Sequence, residues 1–234
     1  MSDFFNKCLV KLWPFSHLVL TNFIVARPAP HKESSVAPPV VSVVVPTRDE
    51  AGNIEEIFRC TPEMSGGTEV IFVERNLKDK TYEAIEHAIK RHTERNAKLY
   101  RQTGDCKGDT VRLGYKMATG DIFINLDADM VVLPDDLSRF YEAIVCGHGD
   151  FINGVHLVNP MVKQAMRFFN ILGNKFFSMA FTWLSGQPIK DTLCGIKILS
   201  RKNYEALARN RSCFGDFDLL LWAAKRSRPV LSVN

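Results

Sequence analysis

Several features that would place a chain in a familiar class are absent from this 234-residue sequence. Its six cysteines are scattered, with no CxxC pair, at positions 8, 60, 106, 146, 194 and 213. Neither a zinc site nor a disulfide framework is therefore indicated, and a reducing cytosol is the expected compartment. No period recurs, which excludes repeat architectures. No run of about 20 mostly apolar residues is uninterrupted, so neither a spanning helix nor a signal peptide is predicted.

Charge of one sign is also not in large excess, since the net charge is +4. Its distribution is uneven, however. Residues 75–116 hold eleven Lys and Arg against six Asp and Glu, whereas residues 117–160 hold seven Asp and Glu against the single Arg139. Nucleic-acid-binding proteins usually have a broad basic face, so no nucleic-acid partner is expected. An acidic centre between basic flanks favours a site for a metal ion and an anion.

The composition changes near residue 40. We interpret residues 1–39 as an amphipathic arm followed by a Pro-rich linker, and residues 40–234 as one domain. The arm has two interpretations, a plain packing arm or a helix lying on a membrane surface. The expected location is cytoplasmic, and the second interpretation places the protein peripherally on the cytoplasmic face of the membrane.

From residue 40 onward, strand and helix patterns alternate. Strands are predicted at 40–45, 69–73, 97–100 and 121–126, with helices from about 53, at 81–91 and at 109–118. This βαβ series predicts an α/β fold with a parallel sheet, whose ligands collect at the carboxyl ends of the strands.

Acidic residues follow three of these predicted strands. They are Asp49 and Glu50 after the first, Glu74 and Asp79 after the second, and Asp127 and Asp129 after the fourth. Because these strand ends share one sheet edge, the carboxylates are expected to converge there. Oxygen ligands with partial hydration favour Mg²⁺ or Mn²⁺, often bound together with a substrate phosphate. The alternative for Asp127 and Asp129 is a solvated Asp-x-Asp turn.

Three motifs in this order carry a resemblance to a known family. They are the segment 43–50 (VVVPTRDE), the segment 127–129 (DAD), and the segment 191–195 (DTLCG) followed by Lys197. Over residues 40–234 the sequence resembles family 2 glycosyltransferases of the GT-A fold. The resemblance is strongest to the branch that transfers sugars to dolichol or polyprenol phosphate. A single Rossmann-like nucleotide-diphospho-sugar transferase domain with a mainly parallel sheet is then expected.

The resemblance implies a metal-dependent, inverting transfer of a sugar from a nucleotide-diphospho-sugar donor. Asp127 and Asp129 would hold Mg²⁺ or Mn²⁺, Asp127 also facing the donor, and Lys107 would add positive charge near the diphosphate. A solvated loop lysine is the alternative for Lys107. The nucleoside would contact the residues that match the family's first two loops, which are Pro46, Glu50, Glu74 and Asp79.

For the acceptor side, the resemblance points to Asp191 and Asp216. Transfer to a sugar hydroxyl would require a general base, whereas a polyprenyl phosphate is already largely anionic at pH 7. Asp216 would then position the acceptor, and its alternative role is the N-cap of a helix. Segment 161–184 is strongly apolar, and its only charges are basic. It is expected to be a helix at an anionic membrane surface or, alternatively, a buried helix of the domain.

Two departures from the family pattern leave alternatives open. Arg75 and Leu77 stand where relatives usually have small residues, and the chain ends shortly after a predicted strand at 229–233. We therefore expect a domain that is short at its C-terminus. The alternative function is a catalytically impaired protein that binds a nucleotide-sugar or associates with a membrane. A sugar-phosphate nucleotidyltransferase is disfavoured because segment 48–50 is not a Gly-rich phosphate loop.

Overall fold

A computed structural model describes residues 37–75, 80–102, 107–130, 132–155, 164–186, 189, 191–192, 194–208 and 230–233. Contacts divide the chain into two units, Met1–His31 and Lys32–Asn234, and all described residues belong to the second. The predicted arm and most of the predicted linker lie outside the described residues. The boundary at residue 39 stays a prediction.

The domain is built on a seven-stranded sheet in the order β3-β2-β1-β4-β6-β5-β7. Its strands are β1 (Val41–Thr47), β2 (Thr68–Glu74), β3 (Asn96–Arg101), β4 (Ile122–Asn125), β5 (Phe151–Gly154), β6 (Lys197–Ser200) and β7 (Val230–Val233). Neighbouring strands are parallel except on the two sides of β6, which runs antiparallel to both β4 and β5. The prediction of a mainly parallel α/β sheet is confirmed.

Within the described ranges, six helices connect the strands. They are α1 (Ile54–Cys60), α2 (Thr81–Arg91), α3 (Lys107–Met117), α4 (Leu137–Val145), α5 (Gln164–Ser185) and α6 (Arg201–Ala208), and a 3₁₀ turn at Pro134–Asp136 precedes α4. The helix predicted at 81–91 is confirmed at both ends. The other helices predicted in the first half of the domain are confirmed within about two residues.

Both faces of the sheet are covered, which explains the continuous apolar runs in β1 and β2. Val43 and Val45 of β1 contribute to a core cluster on one face, while Val44 contributes to a second cluster on the other. In β2, Phe72 belongs to the first of these clusters and Ile71 to the second. Successive side chains of a strand point to opposite faces, so a stretch of strand that is buried on both sides is apolar at consecutive positions, as at 43–45 and 70–73.

Two strands in the second half of the domain were not predicted from the sequence. β5 and β6 are four residues long, and each carries a polar residue, Asn153 and Lys197, that is fully buried. The two residues are register partners. The Lys197 ammonium donates a hydrogen bond to the Cys194 carbonyl. A buried lysine breaks the apolar pattern by which a central strand is recognised, and its backbone partner offsets part of the cost of burial.

A hydrogen-bonded network centred on Glu69 closes the amino-terminal end of the sheet. Glu69 is fully buried and accepts from Lys98 Nζ at 2.5 Å, Ser42 Oγ at 2.7 Å and the Thr119 N–H at 2.9 Å. Burial alone would raise the pKa of Glu69, but Lys98 and the hydrogen bonds hold this pKa below its ordinary value. Nearby, the Arg201 guanidinium donates to the carbonyl of Gly120.

Helix α5 is the longest described helix, and between residues 173 and 184, where its side chains are described, some pack in the domain and several large apolar ones are exposed. Phe181 lies in the core, and Ser178 Oγ donates to the Ile189 carbonyl at 2.7 Å. Phe176, Met179, Trp183 and Leu184 are all more than 60% exposed. Within the part of the chain that the structure describes, no helix combines the length and apolarity required to cross a bilayer.

Candidate functional site

The loop that follows β1 turns sharply and is tied to the start of α2. Asp49 has a φ of 58°, in the left-handed region that residues other than glycine rarely adopt but that Asp tolerates better than most. The next residue, Glu50, donates its backbone N–H to Thr81 Oγ1 at 3.1 Å. The turn therefore places the Glu50 side chain beside the carboxyl ends of the strands.

Asn53 links this loop to the loop that follows β4. Its Nδ2 donates to Glu50 Oε2 at 2.8 Å and to the Ala128 carbonyl at 3.0 Å. The pKa of Glu50 is raised by partial burial and then by the negative charges of Asp129 and Asp49, although the hydrogen bond from Asn53 opposes the rise. Asp129 thus lies close enough for its charge to disfavour the ionisation of Glu50.

The loop after β4 presents two carboxylates from a buried frame. The Leu126 N–H donates to the Val44 carbonyl at 2.9 Å, and Ala128 packs in the core. Asp127 and Asp129 flank this buried alanine and line the open side. Met130, directly after them, has a φ of 57°. The two acids lie two positions apart on either side of a buried residue, and this spacing lets both line one pocket.

Lys107, the first residue of α3, places its ammonium against Asp127. Its Nζ lies 2.8 Å from each of the two carboxylate oxygens. The lysine side chain is 47% exposed, so the pair faces solvent on one side and contributes little to stability. A single cation bridging both oxygens of Asp127 indicates that this carboxylate is placed to bind positive charge.

These loops enclose an open pocket of about 190 Å³. Its lining residues are Pro46, Thr47, Arg48, Glu50, Arg75, Lys107, Thr110, Asp127, Ala128 and Asp129. Three of them are basic and three are acidic, which is the mixed charge expected of a site for an anion bound together with a cation.

The turn that begins at Asp191 is buried and held by several hydrogen bonds. Asp191 is 3% exposed, and its Oδ1 accepts from Asn174 Nδ2 at 2.8 Å and from the Cys194 N–H at 3.2 Å. The Asp191 carbonyl accepts from Asn153 Nδ2 at 2.5 Å. Asn174 Oδ1 in turn accepts from the backbone and the hydroxyl of Thr192. Asp191 therefore organises the turn between α5 and β6.

Gly195, in the same turn, touches the acidic pair. A Cβ atom at this position would overlap the Asp127 carboxylate, with Oδ2 the nearest atom. The turn that holds Asp191 and the loop that holds Asp127 are therefore in direct van der Waals contact, which the sequence motifs alone did not indicate.

Five of the nine site residues named from the sequence come together in the pocket, and these are Pro46, Glu50, Lys107, Asp127 and Asp129. Glu74 ends β2 as a buried residue outside the pocket lining, and its Oε2 accepts from Thr47 Oγ1 at 3.1 Å. Asp191 is likewise buried outside the lining. Asp79 and Asp216 lie outside the described residues, so their roles stay predictions.

Sequence reasoning missed two polar residues at the site. Asn53 joins the two acidic loops, and Thr110 lines the pocket one helical turn after Lys107. The spacing of three residues from Lys107 was the available signal for Thr110, because residues three apart share a helix face. Arg75, noted from the sequence only as a departure from the family pattern, also lines the pocket.

The donor set fits a divalent cation that takes some of its ligands from a substrate. Among the described residues, no group of three or more His, Cys, Asp or Glu side chains is arranged to hold a metal ion alone. Asp127 and Asp129 offer hard oxygen ligands, and Mg²⁺ is commonly bound through one or two carboxylates together with phosphate oxygens and water. The Lys107 ammonium on Asp127 marks where such a cation would be attracted.

Comparisons with solved structures define the class of the fold. The domain is similar to a mannosyltransferase from Pyrobaculum calidifontis in complex with GDP-Man and Mn²⁺, with a TM-score of 0.58 and 23% identity over 87% of this chain and 58% of that one. It is also similar to glucosyl-3-phosphoglycerate synthase from Mycobacterium tuberculosis, with a TM-score of 0.64 and 18% identity over 85% and 69% of the two chains. The fold is GT-A.

The sequence comparisons then give the family. The pattern described as glycosyl transferase family 2 matches residues 42–208, and the chain belongs to this family. It is 29% identical over 196 residues to a dolichol-phosphate mannosyltransferase from Pyrococcus furiosus, covering 81% of this chain and 54% of that protein. It is 23% identical to an undecaprenyl-phosphate 4-deoxy-4-formamido-L-arabinose transferase from Pseudomonas aeruginosa, covering 75% and 52%. The chain spans about half the length of these curated relatives.

Proposed function

We propose that the protein is a metal-dependent, inverting glycosyltransferase that moves a hexosyl group from a nucleotide-diphospho-sugar to a polyprenyl phosphate. The observation that carries this proposal is the pocket in which Asp127 and Asp129, at the end of β4, face Lys107, Arg48 and Arg75. Relatives named as dolichol-phosphate and undecaprenyl-phosphate transferases support the acceptor class.

The charges of the pocket match the demands of the donor. Asp127 and Asp129 would hold Mg²⁺ or Mn²⁺, which when bound supplies positive charge to the departing diphosphate. Arg48 and Arg75 line the same pocket and add positive charge that needs no cofactor. Lys107 neutralises Asp127 in the structure and lies within the same wall. Acidic and basic side chains side by side thus favour a diphosphate with a divalent cation over either one alone.

The reaction needs little proton transfer from the protein. An acceptor phosphate oxygen attacks the anomeric carbon of the donor sugar and forms a new C–O bond on the face opposite the leaving group. The bond from that carbon to the diphosphate oxygen breaks, and its electron pair stays on the nucleoside diphosphate. A phosphomonoester has its second pKa near about 6, so the nucleophile is already anionic at neutral pH. The protein therefore has to align the two substrates and offset negative charge.

The nucleoside of the donor is assigned to the neighbouring loops. Pro46 and Glu50 line the pocket on the side of β1. Glu74 supports that wall through its hydrogen bond from Thr47. Asp79, which follows the second strand in the chain, is proposed to complete the nucleoside site together with them.

The acceptor is assigned to the side of the turn that contains Asp191. We propose that Asp191 and Asp216 act on the acceptor, Asp191 from within the buried turn that it organises. Helix α5, which is hydrogen-bonded to the same turn through Asn174, exposes a row of large apolar side chains. Its sequence has no acidic residue, and it includes Lys175. An apolar, basic surface next to the acceptor side suits a lipid-linked acceptor in an anionic membrane.

The proposal is tested by product formation. The protein is incubated with UDP-glucose, GDP-mannose and other nucleotide-sugars, Mn²⁺ and a short-chain polyprenyl phosphate, and the lipid product is detected by mass spectrometry. Glycosyl polyprenyl phosphate should form with one donor class and should disappear when EDTA is added. Donor hydrolysis without a lipid product would contradict the acceptor class. A donor that binds but is not turned over would support the alternative of a catalytically impaired nucleotide-sugar-binding protein.

The lipid surface is tested separately by vesicle sedimentation. Replacing Trp183, which is 82% exposed, by Ser should reduce binding to vesicles that contain anionic lipid by about threefold or more, because a large aromatic contact with the interface is lost. Leu133→Ser is the matched control, since Leu133 is an exposed apolar residue that is not part of α5. Equal sedimentation of both variants and the original protein would contradict a membrane contact through α5.

A further inference from the structure

We infer that Gly195 and Asn125 are positioning residues that fix the Asp127 carboxylate, so that the turn carrying Asp191 and the metal-binding loop act as one unit. The inference rests on the proposed role of Asp127 in holding a divalent cation. It concerns two residues that neither touch the substrate in the proposed reaction nor line the pocket.

The first observation is the space at Gly195. A Cβ atom there would overlap Oδ2, Cγ and Oδ1 of Asp127, and no other atom is closer. The φ angle of Gly195 is not in the left-handed region, so an alanine would be allowed by the backbone. Glycine is therefore required at this position for closeness to a carboxylate and not for chain conformation. The bare backbone forms one wall of the space that holds Asp127.

The second observation is the side chain of Asn125, two residues before Asp127. It is 1% exposed and donates from Nδ2 to the Gly195 carbonyl at 2.7 Å. Its Oδ1 has no hydrogen-bond partner among the described residues. A buried amide with one unsatisfied atom costs stability relative to an apolar residue of similar size. The hydrogen bond that it does make holds Gly195 against the strand from which Asp127 emerges.

Together the two contacts connect the Asp127 carboxylate, through the Gly195 backbone, to the strand that precedes it. Lys107 Nζ and the Gly195 backbone both lie next to Asp127 Oδ2. An alanine at 195 would be accommodated most cheaply by a shift of the Asp127 carboxylate, because it is the free end of a side chain. The fold should therefore survive Gly195→Ala, while the cation-binding geometry should not.

Mn²⁺ binding tests the inference directly. Binding of Mn²⁺ in the presence of UDP or GDP is measured by electron paramagnetic resonance for the original protein, Gly195→Ala, Asn125→Ala and Gly173→Ala. We expect affinity for Mn²⁺ to fall about tenfold or more in Gly195→Ala and by a smaller factor in Asn125→Ala. A Cβ atom at Gly173 would meet no neighbouring atom within 4 Å, so Gly173→Ala should bind like the original protein.

Two further measurements distinguish a loss of folding and a shift of the Asp127 carboxylate from a failure of the proposed function. Thermal melting shows whether each variant is folded, and unchanged Mn²⁺ affinity in a folded Gly195→Ala would overturn the inference. The ¹³C chemical shift of the Asp127 carboxyl, assigned with Asp127→Asn, needs no metal. It should move in Gly195→Ala and in Asn125→Ala but not in Gly173→Ala, and an unmoved signal would also overturn the inference. Failure of the original protein to bind Mn²⁺ would instead contradict the proposed function.

Discussion

Two carboxylates at opposite ends of the sheet, Glu69 and Glu50, have opposite environments. At the amino-terminal end, Glu69 is fully buried, and Lys98, Ser42 and the Thr119 N–H satisfy its oxygens. Its pKa is lowered overall, even though burial alone would raise it. At the carboxyl-terminal end, Glu50 lies near another carboxylate in an open pocket, and burial together with the charge of Asp129 raises its pKa.

The two ends of the sheet also differ in their backbone conformation. Two residues other than glycine have a positive φ among those that the structure describes, and both, Asp49 and Met130, lie in loops at the carboxyl-terminal end. Unfavourable backbone conformations and like charges cost stability, and they persist where the surrounding structure holds them in place. The difference teaches that the hydrogen-bonded carboxylate at the amino-terminal end stabilises the fold, whereas the crowded charges at the carboxyl-terminal end belong to the proposed ligand site.

The largest effect should come from changing a carboxylate at the open end. Asp127→Asn removes a proposed metal ligand, so glycosyl transfer should fall by about 100-fold or more. Stability should change by less than about 1 kcal/mol, because the pair with Lys107 is partly exposed. Product formation and thermal melting measure the two quantities. Asp135→Asn is the matched control because Asp135 is exposed and does not line the pocket. Transfer at the original rate in Asp127→Asn would remove the distinction between the two ends.

A change at the amino-terminal end of the sheet should instead lower stability and leave glycosyl transfer unchanged. Glu69→Gln replaces the charge paired with Lys98 and leaves a buried network imperfectly matched, so the free energy of unfolding should fall by about 1–3 kcal/mol. Transfer per folded molecule should stay unchanged. Urea unfolding measures the loss, with Glu86→Gln on the exposed side of α2 as the control. A loss of transfer without a loss of stability would show that this end takes part in function.

The smallest effect concerns pH, and its sign differs between the ends. The lowered pKa of Glu69 contributes stability above its ordinary value of 4.5, and this contribution is lost as the pH falls. The raised pKa of Glu50 does the reverse, since its ionisation lowers stability as the pH rises from 4.5 through the folded-state pKa. The loss in the free energy of unfolding that Glu69→Gln causes, relative to the original protein, should therefore become smaller below pH 4.5.

Glu50→Gln should gain stability relative to the original protein as the pH rises above 4.5, because it cannot ionise. Gln keeps an oxygen that can accept the hydrogen bond from Asn53. The gain should stay below about 0.5 kcal/mol, since Glu50 is only partly buried. Unfolding curves at several pH values between about 3.5 and 7 measure the stability of both variants relative to the original protein. If this relative stability changed in the same direction with pH in Glu69→Gln and Glu50→Gln, the comparison would be contradicted.

The first half of the domain was predictable from the sequence because local pattern and tertiary environment agree there. β1 and β2 are buried on both faces, and their unbroken apolar runs state this directly. β5 and β6 were not predictable, since they are short and carry buried polar residues, Asn153 and Lys197. The reversed direction of β6 depends on its pairing with β4 and β5, which is long-range and leaves no local signal.

The candidate site likewise contains residues that were predicted from the sequence and supporting contacts that were not. Residues that directly follow strands, such as Glu50, Asp127 and Asp129, were predicted because strand ends of a parallel sheet meet at one edge. The supporting contacts were not. Asn53 reaches across to the Ala128 carbonyl, and Gly195 packs on Asp127 from a segment 68 residues further along the chain. Such contacts depend on packing between distant segments, which motif spacing does not encode.

The central claim is that the carboxyl-terminal end of the sheet binds a nucleotide-sugar together with a divalent cation. The most direct measurement is a thermal-shift panel of UDP-, GDP- and other nucleotide-sugars with and without Mn²⁺, on the original protein, Asp127→Ala/Asp129→Ala and Glu69→Gln. One donor class should raise the melting temperature only with Mn²⁺, and the rise should vanish in the double variant but persist in Glu69→Gln. A rise that persists in the double variant, or no rise with any donor, would contradict the claim.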